Sequence, residues 1–117
     1  MRKKIIVVDD EYDIGEILQI VLQEENFDVA CFTNAFEAIR YAPDLFIIDH
    51  YLKGILGSDI CRQIKQNQLT QRTPVILMSV SNKLETITAA CKADAFIQKP
   101  FELDDVVRKV KALLNVK

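Results

Sequence analysis

The sequence predicts an α/β protein: a doubly wound, five-stranded parallel sheet in the flavodoxin-like (βα)5 order 2-1-3-4-5. Three observations lead there. Short apolar runs rich in β-branched and aromatic residues recur along the chain. They are apolar at consecutive positions, as strands buried on both faces require. Stretches of helical periodicity separate them throughout, so each strand is joined to the next by a helical crossover, and right-handed crossovers place helices on both sides of a sheet. The 117 residues are enough for one such domain, residues 1-117, and too few for two.

The elements follow in order. The run IIVV, ahead of Asp9 and Asp10, is the first strand. Ile14, Ile17, Leu18, Val21 and Leu22 then fall at i, i+3, i+4, i+7 and i+8, one face of a helix running to about Asn26, which suits a C-terminal cap. Gly15 lies inside that helix at a cost of about 1 kcal/mol relative to Ala, either tolerated or permitting a partner helix to approach. FDVACF is the second strand, and Ala35, Ala38, Ile39 and Ala42 mark a short helix ended by Pro43. The third strand, LFII, delivers Asp49. Ser58 or Asp59 starts the next helix, with Ile60, Cys61 and Ile64 inward, and Thr73-Pro74 leads into VILM, which ends at Ser79. Leu84, Ile87, Thr88 and Cys91 give a weakly apolar helix. AFIQ, the fifth strand, precedes Lys99-Pro100, and Leu103, Val106, Val107, Val110, Leu113 and Leu114 line a last helix. No linker, repeat or low-complexity segment interrupts the alternation.

Composition narrows the function classes. A formal net charge of −2 and no cluster of Lys or Arg beyond the short Arg2-Lys3-Lys4 start argue against direct nucleic-acid binding. No apolar stretch approaches the ~20 residues of a membrane span, and the segment after MRKK stops at Asp9, too soon for a signal peptide. A cytoplasmic location is expected. Cys31, Cys61 and Cys91 form no CxxC pair, and the chain has one histidine, so the cysteines read as small apolar residues.

Chemistry gathers at the strand ends. In open parallel sheets ligands bind beyond the carboxyl ends of the strands, with strands one and three adjacent at the switch point. That edge would hold Asp9, Asp10, Asp49, Ser79 and Lys99. Three carboxylates at close range repel by about 3 kcal/mol per pair at an effective dielectric near 20, which favours a shared proton or a bound cation. Oxygen donors without His or Cys suit Mg²⁺. A carboxylate is also a competent nucleophile toward a phosphoryl group, and a cation, a lysine and a hydroxyl would stabilise the transferring oxygens. Taken singly, each residue has a plainer reading: a solvated turn or helix cap for Asp9-Asp10, a strand terminus for Lys99-Pro100, a loop hydroxyl for Ser79. His50 adjoins Asp49 but points to the opposite face, which favours a structural role.

In order and spacing these residues resemble the receiver domain of two-component response regulators, of the chemotaxis-regulator kind, over essentially the whole chain. The resemblance implies that Asp49 is the phosphoacceptor and that Asp9, Asp10 and Asp49 hold Mg²⁺ with the backbone carbonyl of Tyr51. It implies that Ser79 and Lys99 contact the phosphoryl group and that Lys99-Pro100, within a KPF motif, is a cis peptide. Ser79 and Phe96 are then the switch residues, with Phe in place of the usual Tyr. The expected function is a signalling switch rather than an enzyme, limited to Mg²⁺-dependent self-phosphotransfer and autodephosphorylation. A histidine kinase or histidine phosphotransfer protein donates the phosphoryl group, by contact near Ile14, Gly15 and Leu18, and an output partner reads the surface around the fourth helix, fifth strand and fifth helix. No membrane contact is expected, and the protein is a monomer or a phosphorylation-dependent dimer. The chain ends soon after its last helix, so a stand-alone regulator or an excised domain is expected.

Two departures from the family pattern stand near Asp49. Lys53 replaces the usual Pro, which frees φ and adds a donor; Val80 follows Ser79 where Ala or Gly is usual, and would narrow the path to Asp49. The loop after Asp49 is also unusually apolar (Tyr51, Leu52, Ile55, Leu56) and would either meet a partner or pack on the domain's own helix. Two other functions compete. A phosphohydrolase of the haloacid dehalogenase type wants Asp-x-Asp after the first strand, whereas this chain has Asp9-Asp10-Glu11. A pure interaction module would have no need of the intact acidic, hydroxyl and lysine positions.

Overall fold

The structure is a computed structural model and describes residues 2–116. Five parallel strands, β1 (Lys4–Val8), β2 (Asp28–Phe32), β3 (Leu45–Asp49), β6 (Val75–Ser79) and β7 (Ala95–Gln98), form one sheet in the order β2-β1-β3-β6-β7. The helices are α1 (Tyr12–Glu24), α2 (Ala35–Ile39), α3 (Gly57–Gln66), α4 (Leu84–Cys91) and α5 (Leu103–Leu114). A two-stranded hairpin, β4 (Tyr51–Leu52) and β5 (Ile55–Leu56), lies outside the main sheet. With that hairpin set aside, the order is the expected 2-1-3-4-5.

Side-chain parity organises the core. Ile5, Val7, Leu45, Ile47, Ile76, Met78 and Ile97 face Leu18 and Leu22 of α1 and Val106 and Val110 of α5. The alternate residues Ile6, Val8, Phe46, Ile48, Val75 and Leu77 face α2, α3 and α4 through Ala35, Ala38, Ile60, Cys61, Ile64, Leu84 and Cys91. Continuing the same alternation past the strand ends assigns Asp9, Asp49 and Lys99 to the α1/α5 side and Ser79 and His50 to the other.

Three local details differ from expectation. The hairpin was not legible as strands, because each arm has two residues; Gly54 turns it with φ 74°. Helix α3 starts at Gly57 rather than after a Ser58 or Asp59 cap, because His50 supplies the acceptors: its carbonyl takes the Gly57 N–H at 2.6 Å and its Nδ1 takes the Ser58 N–H at 3.3 Å. The apolar segment divides by hairpin alternation, with Leu52 buried and Ile55 against the core, while Tyr51 and Leu56 are exposed. Asn26 adopts φ 70°, the left-handed conformation expected where α1 ends. Gly15 is buried against Cys31 of β2 and not against a helix, and a Cβ there would lie 3.6 Å from the Cys31 Sγ, an ordinary contact.

Candidate functional site

The carboxyl edge of the sheet brings together three of the expected residues. Lys99 Nζ lies 3.6 Å from Asp9 Oδ2 and 3.5 Å from Asp49 Oδ2, and all three side chains are largely buried. Each is fixed by its strand. Asp9 N–H donates to Phe32 O of β2, and Lys99 N–H donates to Ser79 O of β6 at 2.8 Å. The Asp9 carboxylate also accepts the Glu11 N–H at 2.8 Å through Oδ1, whereas Oδ2 is buried and has no hydrogen-bond partner among the described residues.

Burial pushes the Asp9 carboxyl above its ordinary range, and Asp49 adds to the rise; the Glu11 amide and the Lys99 ammonium pull the other way without prevailing. A pocket with an orphaned carboxylate oxygen and only oxygen donors suits a hard divalent cation that keeps part of its water shell.

Other expected residues stand apart. Asp10 is half-buried and turns toward the hairpin, where its Oδ2 accepts the Lys53 N–H at 2.5 Å. Among the described residues, no three acidic side chains converge as a preformed metal cluster. Tyr51 opens the hairpin two residues after Asp49. Ser79 is fully buried, and its Oγ accepts the Ser81 N–H at 3.1 Å, closing a local turn rather than bonding Asp49. Lys99-Pro100 is a cis peptide. Phe96 is half-buried, packed on the α3/α4 side of the core.

Gly57, one of the glycines the family pattern leads one to expect after Lys53, and Lys109, which the sequence does not single out, also shape this end of the molecule. A Cβ on Gly57 would stand 2.3 Å from Asp49 O and 2.8 Å from His50 Cα, so only glycine lets α3 begin against the backbone of Asp49. Lys109 of α5 donates to Phe96 O at 2.8 Å, with its ammonium 5.5 Å from the ring centroid. The expected donor contact at Gly15 and Leu18 needs correction, because both are buried. Beside the site lies a groove of about 580 Å³ lined by Ile14, Ile17, Val80, Pro100, Phe101 and Leu103, with Glu11 and Lys99 as its charged members. Val80 is 67 % exposed on its wall.

The family model of the response regulator receiver domain matches residues 5–111. The chain belongs to this family. Its similarity extends to the DNA-binding response regulator MtrA of Mycolicibacterium paratuberculosis, 34% identical over 98% of this chain and 52% of that protein. The phosphate regulon transcriptional regulatory protein PhoB of Rhizobium meliloti is 35% identical over 98% of this chain and 53% of its own length. The receiver chain thus spans about half the length of the curated relatives it matches. A crystal structure of a putative response regulator from Chloroflexus aurantiacus superposes with a TM-score of 0.92 at 26% identity, covering 98% of this receiver and 99% of that chain. None of the described helices is long and apolar enough to cross a membrane.

Proposed function

We propose that this receiver is a switch driven by phosphorylation of Asp49. The observation that carries the reading is the Lys99 ammonium set between the buried Asp9 and Asp49 carboxylates. An oxygen of Asp49 attacks the phosphorus of a phosphohistidine on a kinase or phosphotransfer protein. The new P–O bond forms as the P–N bond breaks, and the donor imidazole leaves with the electron pair. Lys99, already 3.5 Å from Asp49, is placed to meet the charge on the transferred group. Mg²⁺ held by Asp9, Asp10, Asp49 and the Tyr51 carbonyl would supply the remaining charge compensation. Ser79 lies one residue off the parity of the carboxylates, so its hydroxyl must leave the turn with Ser81 to reach the phosphoryl group. That departure, with Phe96 and its Lys109 contacts, biases the surface of α4, β7 and α5 between two states.

The groove between α1 and the loop before α5 is where the histidine donor docks, with Val80 as part of the docking wall. The output partner reads the far surface. DNA binding belongs by name to relatives about twice as long; with a net charge of −2, this domain acts through protein contacts, in the cytoplasm, without membrane association. It acts as a monomer or as a dimer formed on phosphorylation. Hydrolysis of the acyl phosphate resets it.

Intact mass after incubation with acetyl phosphate tests the reading. The expected result is a gain of one phosphoryl group that requires Mg²⁺ and is absent in Asp49→Asn. No gain in folded protein that binds Mg²⁺ would leave an interaction module instead.

A further inference from the structure

The hairpin after Asp49 contains a backbone donor that the family's usual proline lacks. Lys53 and Gly54 are the two loop residues between the paired positions Leu52 and Ile55, and Gly54 has φ 74°. Lys53 thus occupies the first central position of a turn whose second takes positive φ, the arrangement of a type II turn, where proline is favoured. Its N–H is not used by the hairpin ladder, and it points at the Asp10 carboxylate, 2.5 Å from Oδ2.

We infer that the Lys53 backbone N–H, and not the lysine side chain, is a positioning group for the cation site. This rests on the metal reading above. Asp10 follows β1 and Tyr51 follows β3, so two of the proposed ligands arrive on separate loops. The bond from Lys53 ties those loops together. It neutralises part of the charge on Oδ2, fixes the rotation of the carboxylate and leaves Oδ1 unengaged by that donor. Asp9 is positioned by the Glu11 N–H in the same way. Each member of the acidic pair therefore has one oxygen held by a backbone amide, one from its own turn and one from across the site. The Lys53 side chain is exposed, so the ammonium is not required by this geometry.

Calorimetric titration of Mg²⁺ alone into wild type, Lys53→Ala and Lys53→Pro separates amide from ammonium. Lys53→Ala keeps the amide and should bind as wild type does. Lys53→Pro keeps a turn suited to proline, loses the donor, and should bind on the order of tenfold more weakly, the effect typical of removing a group that orients a metal ligand. Equal or tighter binding by Lys53→Pro would overturn the inference and leave the metal reading standing. Absence of binding by wild type would overturn both. Should Lys53→Pro fail to fold, the ¹⁵N-labelled wild type decides: the Lys53 amide proton is expected at low field and slow to exchange, and Asp10→Ala should abolish both properties. A freely exchanging Lys53 amide in folded wild type would contradict the inference.

Discussion

Asp9, Asp49 and Lys99 sit on or one residue beyond three parallel strands and are buried, whereas Asp10 and Lys53 sit on loops, Tyr51 sits on the short hairpin strand β4, and all three are half-buried or exposed. The first group is positioned by the sheet: parity points its side chains to the α1/α5 face, and strand pairing sets their separation. In the second group Asp10 is tied to the hairpin by the backbone hydrogen bond from Lys53, and Tyr51 is held by pairing with Leu56 inside the hairpin. The strand-borne half is the part that membership of the fold dictates. The loop-borne half is the part this chain has varied, through Lys53.

The comparison can be broken most severely at Lys99. Lys99→Ala would leave two buried carboxylates without their cation and should lower unfolding free energy by about 3 kcal/mol, measured by urea denaturation without Mg²⁺. A loss no larger than that of a surface lysine would mean the ammonium does not hold the strand-borne half together. Gly57→Ala comes next, because its Cβ would meet the backbone of Asp49; about 2 kcal/mol is expected, together with slower phosphorylation as Asp49 is displaced. Unchanged stability and rate would show that α3 can back away at no cost.

A smaller change of opposite sign is expected at Asp9. Its folded carboxyl is raised above the ordinary value by burial, so the folded state holds the proton longer than the unfolded chain does. The contribution of this group to stability is complete below its unfolded value and falls as pH rises through the folded one. Asp9→Asn should therefore raise Tm at neutral pH in Mg²⁺-free buffer, with the gain vanishing below about pH 4. A gain that persisted in acid would assign the effect to something other than charge. Gly15→Ala serves as a control outside both halves: its Cβ makes an ordinary contact with Cys31, so removing a mid-helix glycine should stabilise by roughly 0.5–1 kcal/mol and leave phosphorylation unaltered.

The sequence was informative wherever periodicity governs the structure. Apolar runs located all five sheet strands, and alternation from Ile47 to Asp49 and from Ile97 to Lys99 foretells which charged groups meet. The hairpin was missed because two-residue arms are too short to show alternation. The start of α3 was misplaced because its cap is His50, seven residues before Gly57, a long-range acceptor that no local signal announces. Asp10 looks identical to Asp9 in sequence, and only the hairpin's placement shows that its carboxylate faces a backbone donor. Lys53 was visible as a departure from proline. What it contributes, an amide rather than an ammonium, is set by the fold of the hairpin against Asp10.

The measurement that bears most directly on the central claim is the position of the acyl phosphate. Protein phosphorylated with acetyl phosphate and Mg²⁺ is reduced with borohydride, which converts an aspartyl phosphate to homoserine, and the peptides are mapped by mass. Homoserine is expected at position 49 alone. Homoserine at position 9 or 10, or phosphate that resists borohydride on a hydroxyl such as Ser79, would contradict it.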